Sequence, residues 1–128
     1  MNGNGDKIKA EYSGLFVASA AATRDIKVLF AGTTILDTGA LTTATADSWY
    51  VTITIIRESS TVVRCQATII ASTALGAQAF NDTTYTRITG LTLSNTNILK
   101  IQGAAAGAGA AASDIVAKLG TVIFQPAA

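Results

Sequence analysis

Apolar and polar residues alternate along much of the chain with a period of two, the pattern of strands that bury one face. The alternation is clearest in "DSWYVTITIIRE" (47–58), where every second residue from Trp49 to Ile55 is large and apolar and Tyr50 falls on the opposite face. After the short polar turn "ESS", "TVVRCQATIIA" (61–71) repeats the pattern. Two such runs around a short turn predict a β-hairpin at the centre of the fold.

Weaker alternation predicts further strands at 7–18, 24–32, 34–39, 83–93, 97–103 and 114–126. Pro126 stands where the last strand is expected to stop, and Gly120 interrupts its alternation, which predicts a β-bulge there. About eight short antiparallel strands and no long helix predict an all-β sandwich, with residues 1–128 as one domain. The predicted core consists of Phe16, Val28, Phe30, Trp49, Val51, Ile53, Ile55, Val63, Cys65, Ala67, Ile69 and Phe124.

Ten consecutive residues, Gly103–Ala112, are all alanine or glycine. We expect a loop at 103–113 that is mobile in the free subunit and becomes ordered against another protein chain, because its own side chains bury little apolar surface. A helix with Ser113 as its N-cap and Gly120 as its C-cap is the alternative, although each glycine within a helix costs up to about 1 kcal/mol. Residues 1–5 are expected to be flexible.

Charged residues make up only 13% of the chain, about half the usual share, whereas hydrophobic residues make up 49%. A surface of hydroxyl and amide groups is common on proteins that pack into assemblies. The net charge of +1, without a basic block, predicts no binding to nucleic acid or to an anionic membrane. No apolar stretch reaches the roughly 18–20 residues that span a bilayer, and the N-terminus does not resemble a signal peptide, so synthesis in the cytoplasm is expected.

The chain contains no histidine, which removes the commonest catalytic base and metal ligand. Cys65 is predicted to be a buried, unreactive thiol on an inward strand position. Asp37 and Asp47 flank one loop and could approach each other as a glycosidase pair, but turn residues that bind their own backbone are the simpler interpretation. We therefore expect no enzymatic activity, no cofactor and no metal site.

The stretch 27–69, with "LDTGAL" and an aromatic strand that ends in "TIIR", resembles a module of tailed-bacteriophage structural proteins, and "DIVAKLGTVIFQP" resembles the closing strand of that module. The resemblance extends from about residue 5 to residue 126. It implies a jelly-roll sandwich, similar to the tumour-necrosis-factor fold, that forms a homotrimer. Such modules occur on head-decorating proteins, head fibres and fibre tips. Because the module begins close to Met1, without a shaft, we expect a piece that sits directly on the particle.

The resemblance predicts a capsid decoration or cement protein on the surface of the virion, whose partners are other copies of itself and the major capsid protein. The alternative is a receptor- or carbohydrate-binding module at the tip of a tail fibre or head fibre. A small hydrolase is a third, weaker alternative, because the carboxylates are dispersed. The predicted subunit or shell contacts are Tyr50, Ala104, Ala105, Ala106, Gly107, Ala108, Gly109 and Ala110.

Overall fold

A computed structural model describes residues 1–17, 23–42, 48–72, 78–107, 110 and 114–128, without the side chains of residues 42 and 78–80. These residues form nine strands and no α-helix. The strands are β1 (Lys7–Phe16), β2 (Thr23–Phe30), β3 (Thr33–Asp37), β4 (Leu41–Thr42), β5 (Ser48–Ser59), β6 (Val62–Ser72), β7 (Gln78–Ile88), β8 (Leu99–Ala106) and β9 (Ile115–Gln125). All predicted strands are present, with shifted ends, and β4 was not predicted.

The strands form two antiparallel sheets, which confirms the all-β prediction and is consistent with a β-sandwich. The first sheet has the order β7-β6-β5-β1-β9. In the second sheet, β8 pairs with β2 along its whole length, while β3 and β4 pair with the two halves of the other edge of β2. The first strand therefore pairs with the last, and β2 pairs with β8 inside that outer pair.

The core lies between the sheets and is centred on the β5–β6 hairpin. Val51 pairs with Ile69 and Ile55 pairs with Cys65, so that one face of both strands is apolar throughout. Eleven of the twelve predicted core residues are buried. The prediction is wrong for Phe124, which is 51% exposed. Its strand lies at the edge of the sheet, and alternation shows which residues share a face but not whether another layer covers that face.

The two ends of the chain meet at the buried carboxylate of Asp6. The backbone N–H groups of Asn2 and Gly3 donate to Asp6 Oδ2 at 2.7 and 2.8 Å, and the N–H of Ala127 donates to Oδ1 at 2.8 Å. These hydrogen bonds to the ionised form hold the pKa of Asp6 below its usual value. The flexibility expected for residues 1–5 stays a prediction, but the structure attaches this segment to β5 and to the C-terminus.

The predicted bulge in the last strand lies beside Lys118 rather than at Gly120. The β1–β9 register shifts between Ser13, which pairs with Leu119, and Gly14, which pairs with Ala117. Gly120 has a packing role instead, because a Cβ atom there would lie 2.9 Å from the ring of Tyr12. Glycine interrupts the alternation at position 120 because of this close packing, and not because of a bulge.

The prediction of a loop from residue 103 is wrong for Gly103–Ala106, which are the second half of β8. These residues pair with β2, from Ile26 to Thr23, and extend a register that the larger side chains of Leu99 and Ile101 begin. Pairing on a neighbouring strand offsets the low strand preference of glycine and alanine. The helix alternative is also wrong, since Ile115–Gln125 is β9, and its proposed cap Ser113 lies outside the described residues.

Candidate interaction surface

The outer face of the five-stranded sheet carries a row of exposed apolar side chains. Ser13 on β1 pairs with Tyr50 on one side and with Leu119 on the other, so these two side chains flank it on the same face. On the same face, Leu15 lies two residues beyond Ser13 on β1, and Ile123 lies four residues beyond Leu119 on β9, opposite Lys9; both are exposed. Tyr50 is 39% exposed and Leu119 is 73% exposed. We call Leu15, Tyr50, Leu119 and Ile123 the outer apolar surface.

Tyr50 therefore lies where the sequence predicted it, on the outward face of the central hairpin. Partial loss of solvation, followed by the neighbouring Glu11 carboxylate, raises the pKa of the Tyr50 hydroxyl above its usual value. The hydroxyl is thus a neutral hydrogen-bond donor at physiological pH. An aromatic ring with one polar end is typical of residues that anchor protein interfaces.

Strand β9 also exposes apolar side chains on the opposite, inward face. Val122 pairs with Ala10 and Phe124 pairs with Ile8, whose side chains share the inner face of the sheet, yet Val122 and Phe124 remain more than half exposed. The second sheet covers only the beginning of β9, where Gly103 of β8 passes so close that a Cβ atom would lie 2.9 Å from Ile115. Most of β9 is therefore apolar and open on both faces.

Three of the predicted Ala/Gly contact residues lie on the other sheet, away from the outer apolar surface. Ala104, Ala105 and Ala106 belong to β8, at the edge of the four-stranded sheet, and Ala104 and Ala106 are exposed. Gly107 follows with a positive φ of 105°, and the N–H of Ala110 donates to its carbonyl oxygen at 3.2 Å. Ala108 and Gly109 lie outside the described residues.

A small polar cluster joins β2 to the end of β3. Lys27 Nζ lies 2.9 Å from Asp37 Oδ2 and 3.5 Å from Asp25 Oδ2. Asp37 Oδ1 accepts the N–H of Gly39 at 2.8 Å, and this bond together with Lys27 lowers its pKa. Partial burial and the charge of Asp37 raise the pKa of Asp25. Each carboxylate has a structural partner, which agrees with the interpretation of Asp37 as a turn residue.

The remaining candidate residues from the sequence, a thiol and a carboxylate, do not form a reactive site among the described residues. Cys65 is buried, and burial raises the pKa of its thiol to about 11, so the thiolate that would react is scarce at neutral pH. Asp47, the proposed partner of Asp37, lies outside the described residues. Among the described side chains, no three histidine, cysteine, aspartate or glutamate residues are grouped so that they could hold a metal ion.

A second exposed aromatic side chain lies on β7, at the far edge of the five-stranded sheet. Tyr85 is 77% exposed, and its hydroxyl accepts a hydrogen bond from Gln66 Nε2 at 3.3 Å. Beside it, Glu58 pairs with Arg64 at 2.5 Å and with Arg87 at 2.6 Å. Tyr85, Arg64 and Arg87 line a shallow hollow.

The sequence predicted the strand β9 but not the exposure of its apolar side chains to solvent. The available signal was that "LGTVIFQ" is apolar at both odd and even positions, which is unusual for an edge strand in contact with water.

No stretch of the described chain forms a helix of the length and apolar character needed to cross a bilayer. In the comparisons with known proteins, no family model, no curated protein and no solved structure matches this chain.

Proposed function

We propose that this chain is a structural protein of a bacteriophage virion, a capsid decoration or cement protein that binds the assembled head shell. The observation that carries the proposal is the outer apolar surface, where Tyr50, Leu15 and Leu119 lie exposed on one face of the five-stranded sheet. Large apolar residues grouped on a solvent-facing sheet mark a surface that binds another protein. The resemblance to phage structural modules supports the major capsid protein as that partner.

The proposed mechanism is binding and not chemistry. A ligand that binds the assembled shell, and not its separated subunits, stabilises the shell by mass action. We propose further that three copies form a homotrimer, with Tyr50 and the exposed alanines of β8 as subunit or shell contacts. A trimer that holds several shell subunits at once multiplies weak contacts through effective concentration.

The proposed jelly-roll topology is supported by the nesting of strand pairs. In this chain β2 and β8 pair inside the outer pair of β1 and β9. The meander β5–β6–β7, which continues the first sheet, departs from a regular alternation between the two sheets. We therefore propose a jelly-roll-like sandwich in which the central strands stay in one sheet.

The test measures binding to shells that are produced, without this protein, from the genome that encodes it. Tyr50→Ala should weaken binding by about tenfold or more, since truncation of an interface aromatic commonly costs over 1 kcal/mol. Tyr85→Ala is the matched control, because it removes the same kind of exposed ring from β7, two strands away at the edge of the same sheet, and it should change binding less than about twofold. Wild-type protein that does not bind these shells would refute the proposal.

A second candidate function has one specific observation in its favour. Tyr85 presents an exposed ring beside Arg64 and Arg87, an arrangement in which a sugar could stack on the ring and accept hydrogen bonds. This would suit a receptor-binding module at a fibre tip. The same two variants distinguish the candidates: in a glycan-binding assay, this second function predicts that Tyr85→Ala abolishes binding and that Tyr50→Ala does not.

A further inference from the structure

We propose that β9 pairs, edge to edge and antiparallel, with β9 of a second copy of this chain about a two-fold axis. The contact would continue the five-stranded sheet of one copy into that of the other. It differs from the three-fold contact proposed above, which uses Tyr50 and the alanines of β8, although Leu119 and Ile123 also belong to the outer apolar surface. It does not depend on the proposed function, because it needs neither a shell nor a glycan.

One edge of β9 is open. The strand pairs with β1 along one side, and no described strand pairs with the other. Proteins usually protect such an edge with charged residues, a bulge or proline. Here the bulge and Lys118 lie near the beginning of the strand, and Pro126 follows its end. Between them, the seven residues Leu119–Gln125 carry no charge and no proline.

Apolar side chains are exposed on both faces of the same strand. Leu119 and Ile123 point outward, whereas Val122 and Phe124 point inward, and all four are at least 51% exposed. A partner packed on one face would leave the other face in water. A strand added at the edge contacts the β9 side chains on both faces at once, because cross-strand neighbours lie about 4.5–5.5 Å apart on each face.

A second copy of β9 fits this edge better than β7 does. At the opposite edge of the same sheet, β7 carries Asp82, Arg87 and several threonines, which would place polar groups against the apolar side chains of β9. A second β9 has the same length and the same apolar character. The four exposed side chains offer on the order of 400 Å² per copy, about half of the roughly 800 Å² that each partner buries in a standard interface, before the flanking residues of β1 are included.

The apolar side chains of the outer face favour one register, in which Val122 and Phe124 on the inner face lie opposite Gly120 and Lys118. A two-fold axis perpendicular to the sheet places residues of the same face opposite each other. When the axis passes through Thr121, Leu119 of one copy lies opposite Ile123 of the other, and the two Thr121 residues face each other. Apolar pairs and threonine pairs are both favourable cross-strand contacts. With the axis at Val122, Leu119 would instead face Gln125.

The test is disulfide formation through a single introduced cysteine, Thr121→Cys, in the full-length chain. In the proposed register the two introduced residues have Cα atoms about 4.5–5.5 Å apart, within the range that a disulfide spans. The native Cys65 is buried and should not interfere. Thr83→Cys, on the exposed part of β7, is the control. At micromolar concentration under mild oxidation, we expect a covalent dimer on a denaturing gel for Thr121→Cys and at least tenfold slower dimer formation for Thr83→Cys.

A charge exchange tests the register separately. In the Thr121→Cys background, adding L119K and I123K places lysine opposite lysine and should slow cross-linking at least tenfold. Adding L119K and I123E instead places lysine opposite glutamate and should restore the rate to within about threefold. Equal rates for Thr121→Cys and Thr83→Cys, or no difference between the two charge variants, would overturn the proposal.

Discussion

Replacement of Ile53 by alanine tests the placement of the core. Ile53 is 2% exposed at the centre of β5, and its cross-strand neighbours on the inner face are Ala10 of β1 and Ala67 of β6. Neither alanine can fill the space that a shortened side chain leaves. The loss in the free energy of unfolding should therefore fall in the upper part of the range of about 2–5 kcal/mol that is typical for buried Ile→Ala changes.

The assay is urea unfolding followed by the fluorescence of Trp49, the single tryptophan, which is buried. With a slope of about 1–3 kcal/mol per molar urea, a loss of about 3–5 kcal/mol lowers the midpoint by about 2 M. Protein concentration must be the same in all samples, since self-association would make the apparent stability depend on concentration.

Ile56→Ala is the matched control, because Ile56 lies three residues further along the same strand, on the outer face, and is only half-buried. This variant should lower the free energy of unfolding by clearly less, about 1 kcal/mol, because the half-buried Ile56 side chain removes less apolar area from water than Ile53 does. If Ile56→Ala costs more than Ile53→Ala, the strand has the opposite phase and the account of the core is wrong, since a one-residue shift exchanges the two faces.

Two further changes test the ends of the chain and the tightest packing. Asp6→Asn should destabilise the protein at pH 7, and because the folded-state pKa of Asp6 is depressed, the difference from the parent should shrink as the pH falls below the ordinary value of 3.8 and through the lower folded value; a difference in urea midpoint that does not change with pH would contradict this. Gly14→Ala should cost at least about 3 kcal/mol, because the new Cβ atom would lie 1.9 Å from the carbonyl oxygen of Val116 and 2.6 Å from the ring of Trp49; a melting temperature equal to that of the parent would show that this close approach is absent.

The pattern of the sequence was sufficient to predict the centre of the fold. From Trp49 to Ile55 in β5 and from Val63 to Ile69 in β6 the period of two is unbroken and many side chains are β-branched, so local preference and burial agree. Apart from Phe124, every predicted core residue from Phe16 to Ile69 is buried. The exception has a physical reason, since burial of β9 depends on which layer extends over it, and this is a property of the whole sheet arrangement.

Other features depend on contacts that a pattern of hydropathy does not contain. Asp6 is a charged residue near a chain end, yet it is buried because three backbone N–H groups converge on it. Gly103–Ala106 have little strand preference of their own and are strand because β2 offers a partner. The outward position of Tyr50 could be predicted from the alternation in its strand. The position of Leu119 near Tyr50 could not, because it follows from the pairing of β9 with β1.

The claim that this chain decorates a virus shell is tested most directly by electron cryomicroscopy of particles purified from the host that carries the encoding genome. The account predicts density for 13.0 kDa β-sandwiches on the outer surface of the head, in groups of three, with the outer apolar surface covered by a neighbouring copy or by the shell. Heads whose outer surface carries no density for this chain would contradict the account.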